Sequence, residues 1–303
     1  MREGFGLAEL TDIEVVLVTY HSRALVEELL DRLPRDLPVV LVDNGRGADA
    51  VQEVLAGRPH GRYLDGGGVG FARAANLGAR TSERPYLIFV NPDTAPTIEQ
   101  LCALVDDLIA DDTLGAVAAT TVTSQGRVEL GVGGWEPTLR RTFVYATGMH
   151  SRLPQAGLYA RPQPHHPIDL DWLTGACLAV PRERFLSVGG FDERYFVYNE
   201  DMAYGRALRE AGLRQRLRTD ILVPHAGAGS GGGKTRMLQM RGASMHDYLR
   251  HHNRGSAAQA MRVVLSAGAL GRWAVCRARG RAREAGDFAA FNRGLWRGAP
   301  DMG

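Results

Sequence analysis

Along the first 110 positions, short apolar runs alternate with stretches of helical spacing. The runs at residues 14–20, 38–44, 61–64 and 87–90 read as strands, three of them dense in β-branched or aromatic side chains. Between and after them, residues 24–33, 48–55, 71–79 and 97–110 repeat their apolar positions as helices do. This alternation predicts parallel βαβ units and an α/β fold. Three runs end in polar residues, at Thr19-Tyr20, Asp43-Asn44 and Asn91-Pro92-Asp93. These ends are expected to share one rim, and ligands bind at the carboxyl ends of strands in open α/β sheets.

From 115 to about 167 the pattern loosens into short strands and turns rich in Gly and Pro. Residues 169–180 then read as one strand, 182–186 and 199–211 as helices, and 222–225 as a short strand ending in His225. A glycine-rich loop at 227–233 precedes a helical, arginine-rich tail. No internal repeat is present.

Composition narrows the function. The chain has 303 residues, 45% hydrophobic and 23% charged, as an ordinary globular protein does. A net charge of +2 gives no case for nucleic acid as a partner. From Arg250 onward, however, ten arginines face only Glu284, Asp287 and Asp301. That tail either rests on an anionic membrane or caps the domain with a solvated face, and the residues leave both open. Cys102, Cys177 and Cys276 form no CxxC pair, which argues against a disulfide framework or zinc site and fits a reducing cytoplasm. No signal peptide or membrane-spanning run is expected, so a cytoplasmic location, with peripheral contact at the inner face of the plasma membrane, is the expectation.

Several motifs offer chemistry. Asp93, at a strand end beside Pro92, is either a solvated turn residue or a carboxylate holding a divalent cation against a diphosphate. The cluster from Gly66 to Gly70 fails the dinucleotide fingerprint, because Phe71 or Arg73 stands where the third glycine belongs. Residues 228–235, ending in Lys234-Thr235, match a relaxed P-loop. No later apolar strand ends in Asp to hold magnesium, so a glycine-rich lid is preferred to a kinase using Lys234. The acid pairs Asp192-Glu193 and Glu200-Asp201 flank an aromatic stretch, and an acid at a helix start can be held close to a reacting carbon. His225 is a candidate second ligand for a cation at Asp93.

Together these residues resemble family 2 glycosyltransferases of the GT-A fold, over roughly residues 15–252. The resemblance rests on Val18-Thr19-Tyr20, Val42-Asp43-Asn44, Gly70-Phe71-Ala72 with Asn76-Leu77-Gly78, Asn91-Pro92-Asp93, Trp172-Leu173-Thr174-Gly175-Ala176, Gly189-Gly190-Phe191-Asp192-Glu193, Glu200-Asp201, and His225 with Ser230. It is closest to bacterial rhamnosyltransferase-like members that decorate lipid-linked cell-wall or polysaccharide precursors. It implies a mostly parallel sheet flanked by helices in a catalytic domain over 1–240. The nucleotide-binding half would span about 13–125 and the acceptor-binding half about 126–240, with a basic helical extension at 241–303.

The resemblance also implies roles. Thr19, Tyr20, Asp43, Gly70 and Asn76 would surround a dTDP- or UDP-sugar. Asp93 and His225 would hold Mg2+ or Mn2+, with Asn91 in the first place of the family's D-x-D motif. Asp201, or alternatively Glu200, would deprotonate the hydroxyl of a glycan or lipid-linked acceptor in an inverting transfer, with L-rhamnose from dTDP-rhamnose as the candidate donor. Trp172, Thr174 and Gly175 would form the acceptor floor. Three positions depart from the pattern. Ala203 replaces a further acid, His21 an Asn after Thr-Tyr, and Asp65 an Asn before the Gly-Phe turn. They motivate the alternative of a degenerate scaffold in a biosynthetic complex.

Overall fold

The computed structural model describes residues 8–227 and 233–299. Chain order runs β1 (Ile13–Thr19), α1 (Arg23–Asp31), β2 (Val39–Asp43), β3 (Gly61–Asp65), α2 (Phe71–Thr81), β4 (Tyr86–Val90), α3 (Ile98–Ala110) and β5 (Leu114–Val122). There follow β6 (Gly133–Gly134), α4 (Leu139–Ala146), β7 (Ile168–Asp169), β8 (Trp172–Leu173), β9 (Cys177–Pro181), α5 (Arg182–Ser187), α6 (Glu200–Glu210) and β10 (Arg214–Pro224). Three helices end the chain: α7 (Lys234–His252), α8 (Gly255–Ala278) and α9 (Ala282–Arg297).

The main sheet has the order β3-β2-β1-β4-β9-β5-β10-β7. β9 runs antiparallel to both β4 and β5, and β7 antiparallel to β10; the remaining strands are parallel to one another. Alternate residues of β1 explain its unbroken apolar run. Val15 and Leu17 pack with α1 and α3 on one face, while Val16 packs with α2 on the other. Helix α2 lies close on the sheet because its inward side is small: Ala72, Ala75, Ala79 and Gly78, where a Cβ would meet Val16 Cγ1 at 2.8 Å. α3 starts with a capping box, in which Thr97 accepts from Gln100 N and the Gln100 side chain accepts from Thr97 N.

The sequence pattern failed in four places. Residues 51–55 form a 3-10 turn rather than an α-helix, and only Val51 there is buried. β5 is a fully buried nine-residue strand where a loosened pattern was expected, because it is covered on both faces and needs no alternation. The run 169–180 is not one strand. Its first part pairs with β10 at Asp169, its middle pairs with β6 at Trp172, and its last part enters the main sheet as β9. α4 was not foreseen at all. The loop between 227 and 233, with Ser230 and most of the P-loop-like motif, lies outside the described residues.

The last three helices pack on one another and join the apolar cluster around Trp172. Tyr248 and Leu249 of α7, Met261 and Leu265 of α8 and Leu295 of α9 share a cluster with Trp172, Met202 and Ala203. At the closest approach of α7 and α9, a Cβ on Gly242 would run into Phe291 O, and one on Gly294 into Gln239 O. Residue 240 lies inside α7, so a single helix crosses the expected division at 240/241. Among the described residues no helix is long and apolar enough to cross a membrane.

Candidate active site

The parallel ends of β1, β2 and β4 open onto a cleft of about 1270 Å³. Its walls include Thr19, Tyr20, Gly70, Asp93, Glu129 and His225 about the strand ends, and Trp172, Thr174, Gly175, Glu200 and Asp201 from the segments at β8 and the start of α6. Residues far apart in sequence thus share one space, as the motif order implied.

The corner at Asp93 is assembled by backbone pairing. Ala226 N donates to Asp93 O at 2.8 Å and Ala95 N to Pro224 O at 2.9 Å, so the end of β10 is tied to the Asn91–Asp93 turn. His225 Nε2 therefore lies 3.2 Å from Asp93 Oδ1. Its Nδ1 lies 2.6 Å from Glu129 Oε2, which also accepts from the Thr121 hydroxyl at 2.8 Å. Burial opposes protonation of His225, but the two carboxylates outweigh it and raise its pKa to about 9. Glu129 was missed in the sequence. The signal available was Gly126, whose turn at 123–127 folds Glu129 back beside Thr121.

These residues fit a divalent cation. Asp93 Oδ1 and His225 Nε2, a carboxylate oxygen and an imidazole nitrogen, lie 3.2 Å apart, close enough to share one cation. Glu129 supplies the carboxylate that commonly orients a ligating imidazole from behind. Among the described residues no group of three or more His, Cys, Asp or Glu is arranged to hold a metal. A site of two protein ligands suits Mg2+ or Mn2+ completed by substrate phosphates and water.

The rim behaves less simply than its sequence suggested. Asp43 is fully buried, and its Oδ1 accepts from Gly45 N at 2.6 Å and Thr19 Oγ1 at 3.3 Å. Its Oδ2 accepts from Gly47 N at 2.6 Å and Tyr63 OH at 3.1 Å. The carboxylate shapes the turn behind the cleft wall and does not itself line it. Asn76, also buried, grips the backbone of Phe191 twice, donating to its O at 2.7 Å and accepting from its N at 2.9 Å. It too stands behind the wall, because it fastens α2 to the segment that carries α6. Gly70 does line the cleft. Its φ is +92°, and a Cβ there would run into Phe196 O, which accepts from Phe71 N at 2.7 Å.

The far wall holds the acids at the start of α6. Tyr198 and Asn199, both at positive φ, turn the chain sharply into the helix, a strained arrangement of the kind found at functional sites. Glu200 is buried, and its Oε2 has no hydrogen-bond partner. Burial and the charge of Asp201 push its pKa well up. Asp201 is raised to about 6 by burial, against the opposing pull of Met202 N, which donates to it at 2.8 Å, and of Arg241. Two adjacent carboxyls thus have different environments, one with a hydrogen-bond donor at its oxygen and one with an oxygen left unpartnered. The other acid pair belongs to the scaffold. Asp192 pairs with Arg194 at 2.6 Å and Glu193 with Arg80 at 3.2 Å.

Trp172 is buried against Tyr159, with an edge-to-face ring separation of 5.8 Å, and still borders the cleft beside Thr174 and Gly175. Of the three departures, Ala203 lies in the apolar cluster, His21 meets Tyr20 edge-to-face at the rim, and Asp65 accepts from Gly67 N at 2.8 Å. Lys234 is drawn away to Asp287 of α9, 2.6 Å from Nζ, which is no position for a phosphate-gripping lysine. Arg241 and three methionines of α7, Met237, Met240 and Met245, also line the cleft and were not foreseen.

Comparisons agree with this geometry. Residues 14–161 match the family model described as Glycosyl transferase family 2. An N-acetylglucosaminyl-diphospho-decaprenol L-rhamnosyltransferase of Mycobacterium tuberculosis is 31% identical over 230 residues, 67% of this chain and 72% of the relative. A rhamnosyltransferase of Escherichia coli K12 is 21% identical over 67% of this chain and 78% of its own. In fold, the chain is similar to a mannosyltransferase of Pyrobaculum calidifontis solved with GDP-Man and Mn2+, with a TM-score of 0.56 and 18% identity over 94% of this chain and 87% of that one. The strand-end cleft, the GT-A architecture and these matches together show that the chain belongs to glycosyl transferase family 2 and is a glycosyltransferase.

Proposed function

We propose that this glycosyltransferase moves L-rhamnose from dTDP-rhamnose onto a hydroxyl of a lipid-linked glycan, with inversion at the anomeric carbon. The observation that carries the reading is that one cleft is lined both by the Asp93–His225–Glu129 corner and by the Glu200–Asp201 pair. The names of the rhamnosyltransferase relatives support the sugar and the lipid-linked acceptor.

In this reading Thr19, Tyr20 and the Gly70 turn frame the nucleotide, with Asp43 and Asn76 holding that frame from behind. Asp93 and His225 would hold Mg2+ or Mn2+, which when bound would supply positive charge beside the departing diphosphate. Asp201 accepts the proton of the acceptor hydroxyl. That oxygen bonds to the anomeric carbon as the opposite bond to the diphosphate oxygen breaks, and the bonding pair leaves with the dTDP. A carboxylate with a pKa of about 6 is ionised at neutral pH yet basic enough to assist. Burial and the charge of Asp201 raise the pKa of Glu200, whose Oε2 has no hydrogen-bond partner, whereas Asp201 is held by Met202 N, which favours Asp201 as the base. Trp172 and the Thr174–Gly175 turn supply the floor on which an acceptor sugar packs.

Helix α8 supports contact with a membrane. Its exposed positions Val263, Ala267, Leu270 and Ala274 follow helical spacing, with Trp273 and Val275 also exposed beside them. Arg277, Arg279, Arg281 and Arg283 follow directly, all exposed. An apolar stripe ending in arginines suits the interface of an anionic bilayer, at the cytoplasmic face where lipid-linked acceptors would be met.

Thermal unfolding against dTDP, UDP, GDP and ATP, with and without Mn2+, tests the reading. A ligand that binds only the native state raises the midpoint by mass action. A metal-dependent shift with dTDP is expected, together with dTDP release when dTDP-rhamnose and a lipid-linked acceptor are both supplied. A shift with ATP alone, or no release with either, would sink it.

A further inference from the structure

We infer that the α7 side of the cleft seats the acceptor's own diphosphate and its first isoprene units, with Arg241 as the phosphate ligand. The inference rests on the reading above that the acceptor is lipid-linked. Arg241 is partly buried, and its Nη2 donates to the Tyr159 hydroxyl at 2.9 Å, with the guanidinium 5.4 Å from that ring's centre. A phenol does not neutralise a guanidinium. Among the described residues no carboxylate lies within ion-pair distance of Arg241, whereas nearby Arg206 and Arg209 both reach Glu136. A cation withdrawn from water is costly without a charged partner. A phosphate is the partner whose oxygens match the planar fork of donors.

The surroundings point to what carries that phosphate. Met237, Met240 and Met245 lie within two turns of Arg241 on α7 and line the cleft, as does Met202 of α6. Thioether side chains adapt to irregular apolar partners, which suits a flexible aliphatic chain. The donor's diphosphate already has a place at Asp93 and His225. Arg241 is instead close enough to Asp201 for its charge to act on that carboxyl. An acceptor sugar held through its diphosphate at Arg241 would therefore lie beside the base. The cleft, at about 1270 Å³, exceeds the 300–1,000 Å³ typical of a single small-ligand pocket, as two substrates require.

Calorimetric titration of the full chain with farnesyl diphosphate, farnesol and inorganic pyrophosphate tests this, in EDTA so that no metal can recruit them to Asp93. The wild type should bind farnesyl diphosphate more tightly than either fragment. Arg241→Met should weaken farnesyl diphosphate about 10- to 100-fold, the usual loss when hydrogen bonds to a charged group are removed. Its affinity for dTDP with Mn2+ should not change. Met237→Glu, at a partly exposed position, should weaken farnesyl diphosphate and farnesol alike. Arg241→Lys, which keeps the charge but not the fork, should show an intermediate loss and serves if Arg241→Met does not fold. Pyrophosphate binding as tightly as farnesyl diphosphate would overturn the inference, as would unaltered binding in the variants. An equal loss of dTDP affinity would overturn it too, by assigning Arg241 to the donor. Failure of the wild type to bind dTDP would instead remove the donor reading, and the farnesyl titration would still stand on its own.

Discussion

The two walls of the cleft hold their chemistry in different ways. On the strand-end wall most polar residues are fixed by the ends of regular strands. Thr19 ends β1 and Asn91 follows β4, with Asp43 behind them at the end of β2, and Asp93 and His225 are set 3.2 Å apart by the backbone pairing of their segments. On the far wall the acids enter through a strained turn at Tyr198 and Asn199, and their neighbours come from α7, a helix outside the sheet. The first wall compensates its charges internally, carboxylate against imidazole. The second leaves Glu200 with an unpartnered oxygen and Arg241 with only a phenol. A wall already satisfied suits a metal exchanged for a proton, whereas an unsatisfied one suits groups that only a substrate completes.

That contrast can be broken by mutation. The largest effect is expected at the far wall, where Asp201→Asn should lower kcat by about 10²- to 10⁴-fold, the usual worth of a general base. Its affinity for dTDP with Mn2+ should be unaltered in the same preparation. Turnover near that of the wild type would take the base role away from Asp201. At the strand-end wall Glu129→Gln should lower Mn2+ affinity about 10- to 100-fold, as removal of a carboxylate behind a ligating histidine commonly does. Manganese titration in the presence of dTDP reads it, and an unchanged curve would place the cation elsewhere.

The pH dependence separates the walls further. His225 must give up its Nε2 proton to a metal, and its pKa is about 9. Mn2+ affinity should therefore rise about tenfold per pH unit from 7 toward 9 and level off above. The rate at saturating metal should instead fall only below about pH 6, as Asp201 takes up a proton. A single common midpoint for both properties would contradict the division of labour.

Stability gives a smaller signal. Glu200 and Asp201 have folded-state pKa values above their unfolded ones, so the folded chain binds the extra protons. The stability they contribute is full below about pH 4 and is lost as pH rises, for Asp201 by about pH 6. Glu200→Gln should accordingly stabilise the protein by about 1–2 kcal/mol at pH 8, with the gain fading toward pH 4. A lower thermal midpoint at pH 8 would mean that Glu200 is ionised and satisfied. The mildest change concerns α8, where Leu270→Glu should reduce sedimentation with anionic vesicles a few-fold while leaving neutral vesicles unaffected. Equal binding before and after would return the stripe to an ordinary surface.

Legibility followed the same division. β1, β2 and β4 were plain in the sequence because strands buried on both faces are written as unbroken apolar runs. β5 is no less buried, yet its small residues, Gly115, Ala116, Ala118 and Ala119, blurred the run into a pattern of short strands and turns. The run at 169–180 misled in the opposite sense. Its apolar character is real, but Asp171 and Gly175 allow the chain to leave one sheet, visit another and return.

Local pattern by itself determined the parallel α/β core, the polar ends of its strands and the acids at the start of α6. Those features depend on residues close in sequence, whose spacing fixes what they face. Only the tertiary structure decided that Asp43 and Asn76 stand behind the wall, that Glu129 backs His225, and that Arg241 and its methionines close the far side. Each of those depends on what another segment places against the residue. A side chain's type does not say whether its hydrogen bonds are spent inside the protein or left for a substrate, because that is settled by packing between segments far apart in the chain.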